Sequence, residues 1–383
     1  MNFLITAPDG VVLRDGKPFG QPGNTGGGFF DWPMPQTITG MIRSSIGLSR
    51  HPDFFRNANN ASKLLPISVG PSIPVEIVDN GKVNPLFPVP ADLLMVDSSE
   101  TGVIRIVPSE FKKLQRGEGT DSPITSPFIP VWETQQKPTR EIPAWLCWNA
   151  FKSYCEESLS EEVKSNALGP SRPVISDTYH NAIDASTLAV REGFLFQTRS
   201  IYFKASTGED LGIITRIRGE EASDSVPESA YLGGERRRVG IHPIDEVFPS
   251  CPNIFSNQRF LKIVLATHGD FGGWAPSWLL GSLSGEWVKI PNTSFEVRLR
   301  SALVPRWEAI SGWDYALRKP KAMRKLVVPG AVYLIEIRSP ESSSEIANTL
   351  WGAALESSQA ARDGYGYCFV AKAYHATQTT LIE

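Results

Sequence analysis

A chain of 383 residues, at roughly 150 residues per domain, has room for about two domains. With 41% hydrophobic and 21% charged residues and a net charge of −3, it is neither a disordered polyampholyte nor a protein coated in positive charge to hold nucleic acid. No apolar stretch approaches the length of about 18 residues that a membrane span requires, and MNFLITAPDG lacks a basic leader, so a soluble cytoplasmic protein is expected.

The first strand is expected from Phe3 to Thr6. A proline- and glycine-rich stretch over 18–35 then leads into a helix whose apolar residues Ile38, Met41, Ile42 and Ile46 share one face. Prolines crowd 66–90 and 123–143; lacking the N–H that helices and central strands use, they predict loops or edge hairpins. Strands follow at Gly193–Phe203 and Leu211–Ile217. The aperiodic HPIDEVFPSCPNIFSN (242–257) marks a boundary between a domain over 1–250 with large insertions and a second over 258–383.

The second domain reads as a strand at 260–266 (FLKIVLA), a short helix from Pro276 to Leu283, and an alternating strand at 295–300. AVYLIEI (331–337), apolar on both faces, predicts a central strand. Ser342-x-x-Glu345 reads as a capping box opening a helix through Ile346, Leu350 and Ala354. A last strand runs from Gly366 to Ala373. This βαββαβ order is the ferredoxin-like unit, and the fold class expected is α+β, with two such RRM-like units in tandem and long Pro/Gly-rich insertions.

Several chemistries leave no trace. Cys147, Cys155, Cys251 and Cys368 form no CxxC pair, so neither a zinc site nor a disulfide framework is expected. Phosphate-loop, zinc-protease and hydrolase-elbow motifs are missing, and no cofactor is implied. What remains is a set of groups suited to a polyanion. Thr37–Arg43 is read as a helix start, where unpaired amides attract phosphate, Gly40 permits close approach, and Arg43 and Arg50 lie to one side; ordinary capping with a solvated arginine face is the alternative. The connection at 291–325 is basic, with Lys319 and Lys321 at its centre and Trp307, Trp313 and Tyr315 interleaved. That combination suits single-stranded RNA, or else a solvated loop pinned by its tryptophans. Gly364-Tyr365-Gly366-Tyr367 begins like the RRM strand that stacks bases, although Cys368 and Val370 break the match and favour a sheet core. Gly233-Gly234-Glu235 precedes Arg236, Arg237 and Arg238, of which one arginine is expected buried in a salt bridge, with Glu235 or a nearby acid, and the others free for a partner. His180, between Tyr179 and Asn181, serves either as an acid/base for RNA cleavage or, by preference, as a positioning hydrogen-bond donor.

Taken in order, GKPFG (16–20), PQTITGMIRSSI (35–46), HNAIDASTLAVREGFLF (180–196), YLGGERRR (231–238), FGGWAP (271–276), SGWDYALRKPKAMRKLVVPGAVYLIEI (311–337) and RDGYGYCFV (362–370) resemble the RAMP superfamily of CRISPR proteins. More narrowly they resemble the third-subunit family of the type III-B (Cmr) effector complex. The resemblance implies two ferredoxin-like domains and a noncatalytic role capping the 5′ repeat-derived tag of the crRNA. It implies as partners the large polymerase-like subunit, the backbone RAMP subunit and, indirectly, target RNA, with no membrane. It further implies that Thr39, Gly40 and Arg43 contact the crRNA backbone and that His180 and Asn181 position the tag. The GGERR turn (Gly233, Gly234, Arg236, Arg237) and the GYG turn (Gly364, Gly366) would supply further contacts. The rival readings are a metal-independent endoribonuclease acting on precursor CRISPR RNA and a tryptophan-rich glycan-binding module.

Overall fold

The computed structural model describes all residues except 16–27, 58, 79–80, 115–117, 141, 220–225, 246–247, 315–318 and 374–383. The GKPFG motif, Tyr315 and Arg318 therefore lie outside the described residues. The molecule is mixed α+β, mostly sheet with few helices.

In the N-terminal part, β1 (Asn2–Thr6), α1 (Pro35–Arg50), β2 (Ser68–Ile77) and β3 (Val83–Phe87) come first. A helix α2 (Trp148–Glu156) precedes a long hairpin, β4 (Pro173–Ile183) and β5 (Val190–Ala205). Then come β6 (Asp210–Arg218), β7 (Ser229–Leu232) and β8 (Arg237–Ile244). Their sheet runs β7-β8-β1-β6-β2-β3, all antiparallel, with Leu4 opposite both Ile214 and His242. The C-terminal part contributes β9 (Phe260–Leu265), β10 (Glu296–Leu303), β11 (Val332–Ile337), α3 (Ser343–Leu350) and β12 (Tyr367–Lys372), in the order β10-β11-β9-β12.

Side chains alternate across a strand, and that alternation sorts the core into layers. On β1, Phe3 and Ile5 pack with Ile38, Ile42 and Ile46 of α1, while Leu4 points the other way. On β9 and β11, Leu261, Ile263, Tyr333 and Ile335 pack under Ile346 and Leu350 of α3. Their opposite faces, Val264 and Val332 with Phe369 of β12, meet Leu4, Val75 and Ile214 of the first sheet. The two sheets thus share an inner core, flanked outside by α1 and α3. Phe151 of α2 fills its centre, stacked on Phe87 at 4.2 Å, with Phe369 edge-on to Phe87 at 5.0 Å. Each such ring adds about 1.5–3 kcal/mol of burial.

The insertion between β3 and β4 is held in place. Lys262, in mid-strand on β9 and 4% exposed, donates to Asp92 at 3.1 Å and lies 3.6 Å from Glu157. Tyr154 donates its hydroxyl to the same Asp92 at 2.7 Å. Burial opposes the charge on Lys262, but the two carboxylates outweigh it and raise its pKa. A buried ammonium keeps its charge only with such partners, so this contact clamps the insertion to the second sheet.

Three expectations change. The stretch over 66–90 holds a strand with neighbours on both sides, not only loops and edge hairpins. β3 pairs with β2 only from Val75 onward, which leaves the part holding Pro71 and Pro74 an edge that tolerates them. The capping box does not form: Ser342 makes no side-chain cap, and Ser343 donates to Phe255 O at 2.5 Å instead. Helix α3 stops at Leu350, and Ala353–Ala354 pair with β12 beyond Gly352, whose φ of +64° turns the chain.

Candidate nucleic-acid interface

Helix α1 starts at Pro35, behind Met34, earlier than the expected opening at Thr37–Arg43. Proline suits that position because its missing N–H falls among amides that have no intrahelical acceptor. The correction removes Thr39 and Gly40 from the helix end. Thr39 is buried and donates its hydroxyl to Asp363 O at 2.9 Å. Gly40 is exposed, and a Cβ there would meet nothing within 4 Å. Arg43, with a side chain 11% exposed, donates to Ile67 O at 2.7 Å and to the Asp363 carboxylate at 2.6 Å. It staples α1 to the start of β2 and to the turn before β12. Arg50 sits in the last turn, where a cation complements the helix dipole.

The true first turn of α1 is closed by protein. Gln36 donates through Nε2 to Ser311 O at 2.8 Å and accepts through Oε1 from Arg324 at 2.7 Å. Arg324 also pairs with Asp270 and lies 5.4 Å from the centre of the Tyr365 ring. Gly364, at φ +90°, sits where a Cβ would come within 3.0 Å of Val69 O and 3.3 Å of Pro35 Cβ, so the turn approaches α1 as only glycine can. Gly366, at φ +75°, donates its amide to His268 O at 2.7 Å. Tyr365, Tyr367 and Phe369 are all buried, so the GYG aromatics are core side chains; burial pushes the Tyr365 hydroxyl pKa up. Three motifs far apart in sequence meet here, bound together by Arg324 of the basic connection and by Gln36, Asp270 and Asp363, which sequence reading missed. Only the polar chemistry of Gln36 and Asp363 beside the motifs could have flagged them.

The GGERR turn is likewise tied down. Gly233, at φ +71°, leaves no room for a Cβ beside Val12 O, and Gly234 donates to that same oxygen at 2.7 Å. Arg237 pairs with Glu235 at 2.9 Å, the expected salt bridge, though half-exposed rather than buried. Arg238 bonds Ser229, and Arg236 lies over the Tyr231 ring at 5.0 Å on the surface. On the basic connection, Lys319 and Lys321 are exposed, and Lys325 stacks on Trp307 at 4.7 Å.

The hairpin β4–β5 differs from all of these. It joins the sheet only at its base, where Lys204 pairs with Asp210 and Ile201 and Phe203 enter the first core. Beyond that it carries exposed Tyr179 (64%), Ile183, Leu188 (79%), Phe194 and Leu195. Arg191 lies over the Phe194 ring at 4.2 Å, and Arg199 forks onto Asp177 at 2.8 and 3.0 Å. His180 hydrogen-bonds Thr198 Oγ1 at 2.8 Å and stacks on Phe196 at 5.0 Å; neither partner titrates in the range a general acid or base needs. Asn181 is exposed beside it. Among the described residues no cluster of His, Cys, Asp and Glu could hold a metal ion, and no helix is long and apolar enough to cross a membrane.

A family model described as CRISPR-associated protein (Cas_Cmr3) matches residues 3–373. Among solved structures, a chain of the type III-B Cmr-beta complex bound to cognate target RNA is similar at 15% identity and a TM-score of 0.48. The match covers 98% of this chain and 100% of that one. The same complex bound to target RNA and AMPPnP gives 15% identity and a TM-score of 0.47, over 91% and 88% of the two chains. The Csm3–Csm4 subcomplex of the type III-A interference complex gives 11% identity and a TM-score of 0.36, over 88% and 93%. No curated protein matches the chain.

Proposed function

Because the chain belongs to the Cas_Cmr3 family of CRISPR-associated proteins, we propose that it is a noncatalytic, RNA-binding structural subunit of a type III-B effector complex that caps the crRNA 5′ tag. In this reading it docks the large polymerase-like subunit and the backbone RAMP subunit, and meets target RNA only indirectly. The observation that carries it is the β4–β5 arm, whose aromatic and aliphatic side chains stand in water with arginines among them. Exposed rings offer splayed bases a stacking surface, and cations beside them neutralise the adjoining phosphates. His180 holds the arm's two strands in register with Thr198, which is a positioning role.

The same reading takes the two parts, 1–250 and 258–383, as two ferredoxin-like domains. It is supported by strand order: β8-β1-β6-β2 and β12-β9-β11-β10 both run fourth, first, third, second along the chain. Photo-crosslinking of the assembled particle tests the function. Crosslinks from the crRNA tag should fall on Tyr179, Asn181 and Phe194. A tag crosslinked wholly to other polypeptides would overturn the reading, as would repeat-containing RNA cut by the purified chain and spared by His180→Ala.

A further inference from the structure

A second feature lies apart from the arm, in a cleft of about 560 Å³ where the ends of the two sheets meet. Ser68 and the end of β6, with Arg216 and Arg218, form one wall; Trp351, Ser357 and Arg362 stand on the other. The charge in this cleft is unbalanced. Its carboxylate, Glu356, is already committed, accepting from the Ser277 amide at 2.8 Å and the Ser277 hydroxyl at 3.2 Å. Arg216 is held from behind, donating to Asn2 Oδ1 at 3.1 Å with its guanidinium over the Phe248 ring at 4.9 Å, and it has no acid partner among the described residues. Burial, and then the neighbouring charge of Arg218, lower its pKa, as they must for a cation half withdrawn from water without an anion. Arg218 and Arg362 are exposed and make no side-chain bond with the described residues.

Guanidinium forks and serine hydroxyls are the donors that hold phosphate oxygens, and Gly352, Ala353 and Ala361 keep the walls low enough for a strand to approach. We propose that this cleft binds nucleotide phosphate, with Arg216, Arg218 and Arg362 as its cations. The inference rests on the RNA-binding reading and adds to it a place away from the arm. Two sources share this chemistry: successive phosphodiesters of a single strand, and the phosphate of a free mononucleotide.

The test is fluorescence anisotropy of the full chain with a labelled single-stranded RNA across a salt series. Arg218→Ala/Arg362→Ala removes two exposed cations and leaves Arg216, which also braces Asn2, in place. Affinity should fall about tenfold or more, and the slope of log K against log salt should flatten by about 1.4, at roughly 0.7 per phosphate of a single strand. Lys289→Ala/Arg338→Ala, removing as much charge from the β10–β11 side of the second sheet, away from β12, should leave the slope unchanged. Displacement of the RNA by adenosine monophosphate at millimolar concentration supports the mononucleotide source; displacement by unlabelled RNA alone supports the strand. A double variant that binds like the wild type overturns the cleft and leaves the RNA-binding reading standing. A wild-type chain with no salt-dependent RNA affinity overturns both. Displacement by polyglutamate as effective as by RNA of equal charge assigns the cleft to an acidic protein segment instead.

Discussion

The junction at the start of α1 and the β4–β5 arm hold similar chemistry and put it to opposite uses. At the junction, arginine, threonine and a glycine turn are spent on the protein itself: Arg43 on Asp363 and Ile67, Thr39 on Asp363, Gly364 on Pro35 and Val69. On the arm, Tyr179, Phe194 and Leu195 have no core to enter. Residues of the right type become a binding site only where folding leaves them unsatisfied, because a donor already bonded in a dry junction has nothing left to offer a ligand.

The sharpest break of that comparison lies in the closed regions. Asp92→Ala leaves the buried Lys262 ammonium only the more distant Glu157, at 3.6 Å, and strips the Tyr154 hydroxyl of its acceptor; breaking a buried ion pair in this way costs about 3–5 kcal/mol. Chemical denaturation should show a loss of that size; a change under 1 kcal/mol would mean the insertion is not clamped there. Next, Arg43→Ala should lower stability by about 2–3 kcal/mol, since the Ile67 carbonyl loses its side-chain donor and the Asp363 carboxylate loses its cation, keeping only Gln359 Nε2 at 3.0 Å. In the folded variant the salt dependence of RNA binding should be unchanged. A flattened slope with stability intact would return Arg43 to the interface and reverse the contrast.

The arm should respond the other way. Tyr179→Ala/Phe194→Ala should weaken RNA binding by about 1–3 kcal/mol for each base that loses its stacking partner, with denaturation midpoints unmoved. A fall in stability without a fall in affinity would make the arm a packing element.

The smallest effect concerns acid. Burial works against the charge on Glu336, but hydrogen bonds from Arg298 and Arg259 outweigh it and hold its pKa below the ordinary 4.5. A depressed carboxylate contributes stability that is present above its unfolded pKa and is lost as pH falls through the folded one. Glu336→Gln should therefore flatten the stability profile below about pH 4.5. An unchanged acid limb would show that the two arginines do not hold this carboxylate.

Much of the scaffold was legible in the chain. The face shared by Ile38, Met41, Ile42 and Ile46 is buried throughout, and the doubly apolar run at 332–337 is a central strand buried at every position. Those signals are local, set by a period of two or 3.6 residues, so they survive without knowledge of partners. Ser342–Glu345 marked a helix start correctly but for the wrong reason, because Ser343 found a distant carbonyl, Phe255 O, that no local pattern contains. Pro71 and Pro74 hid a strand for the same reason: only the partial length of β3 makes their place tolerable.

The amino-acid order by itself determined the periodic elements, the family and the kinds of side chain that could hold a polyanion. Which of them remain open was decided in three dimensions. Arg43 and Asp363 are separated by 320 residues and meet only when the two sheets pack, whereas Arg218 and Arg362 are left facing a cleft by that same packing. The partners that close the α1 junction lie far apart along the chain, and a sequence specifies such pairs only through its fold.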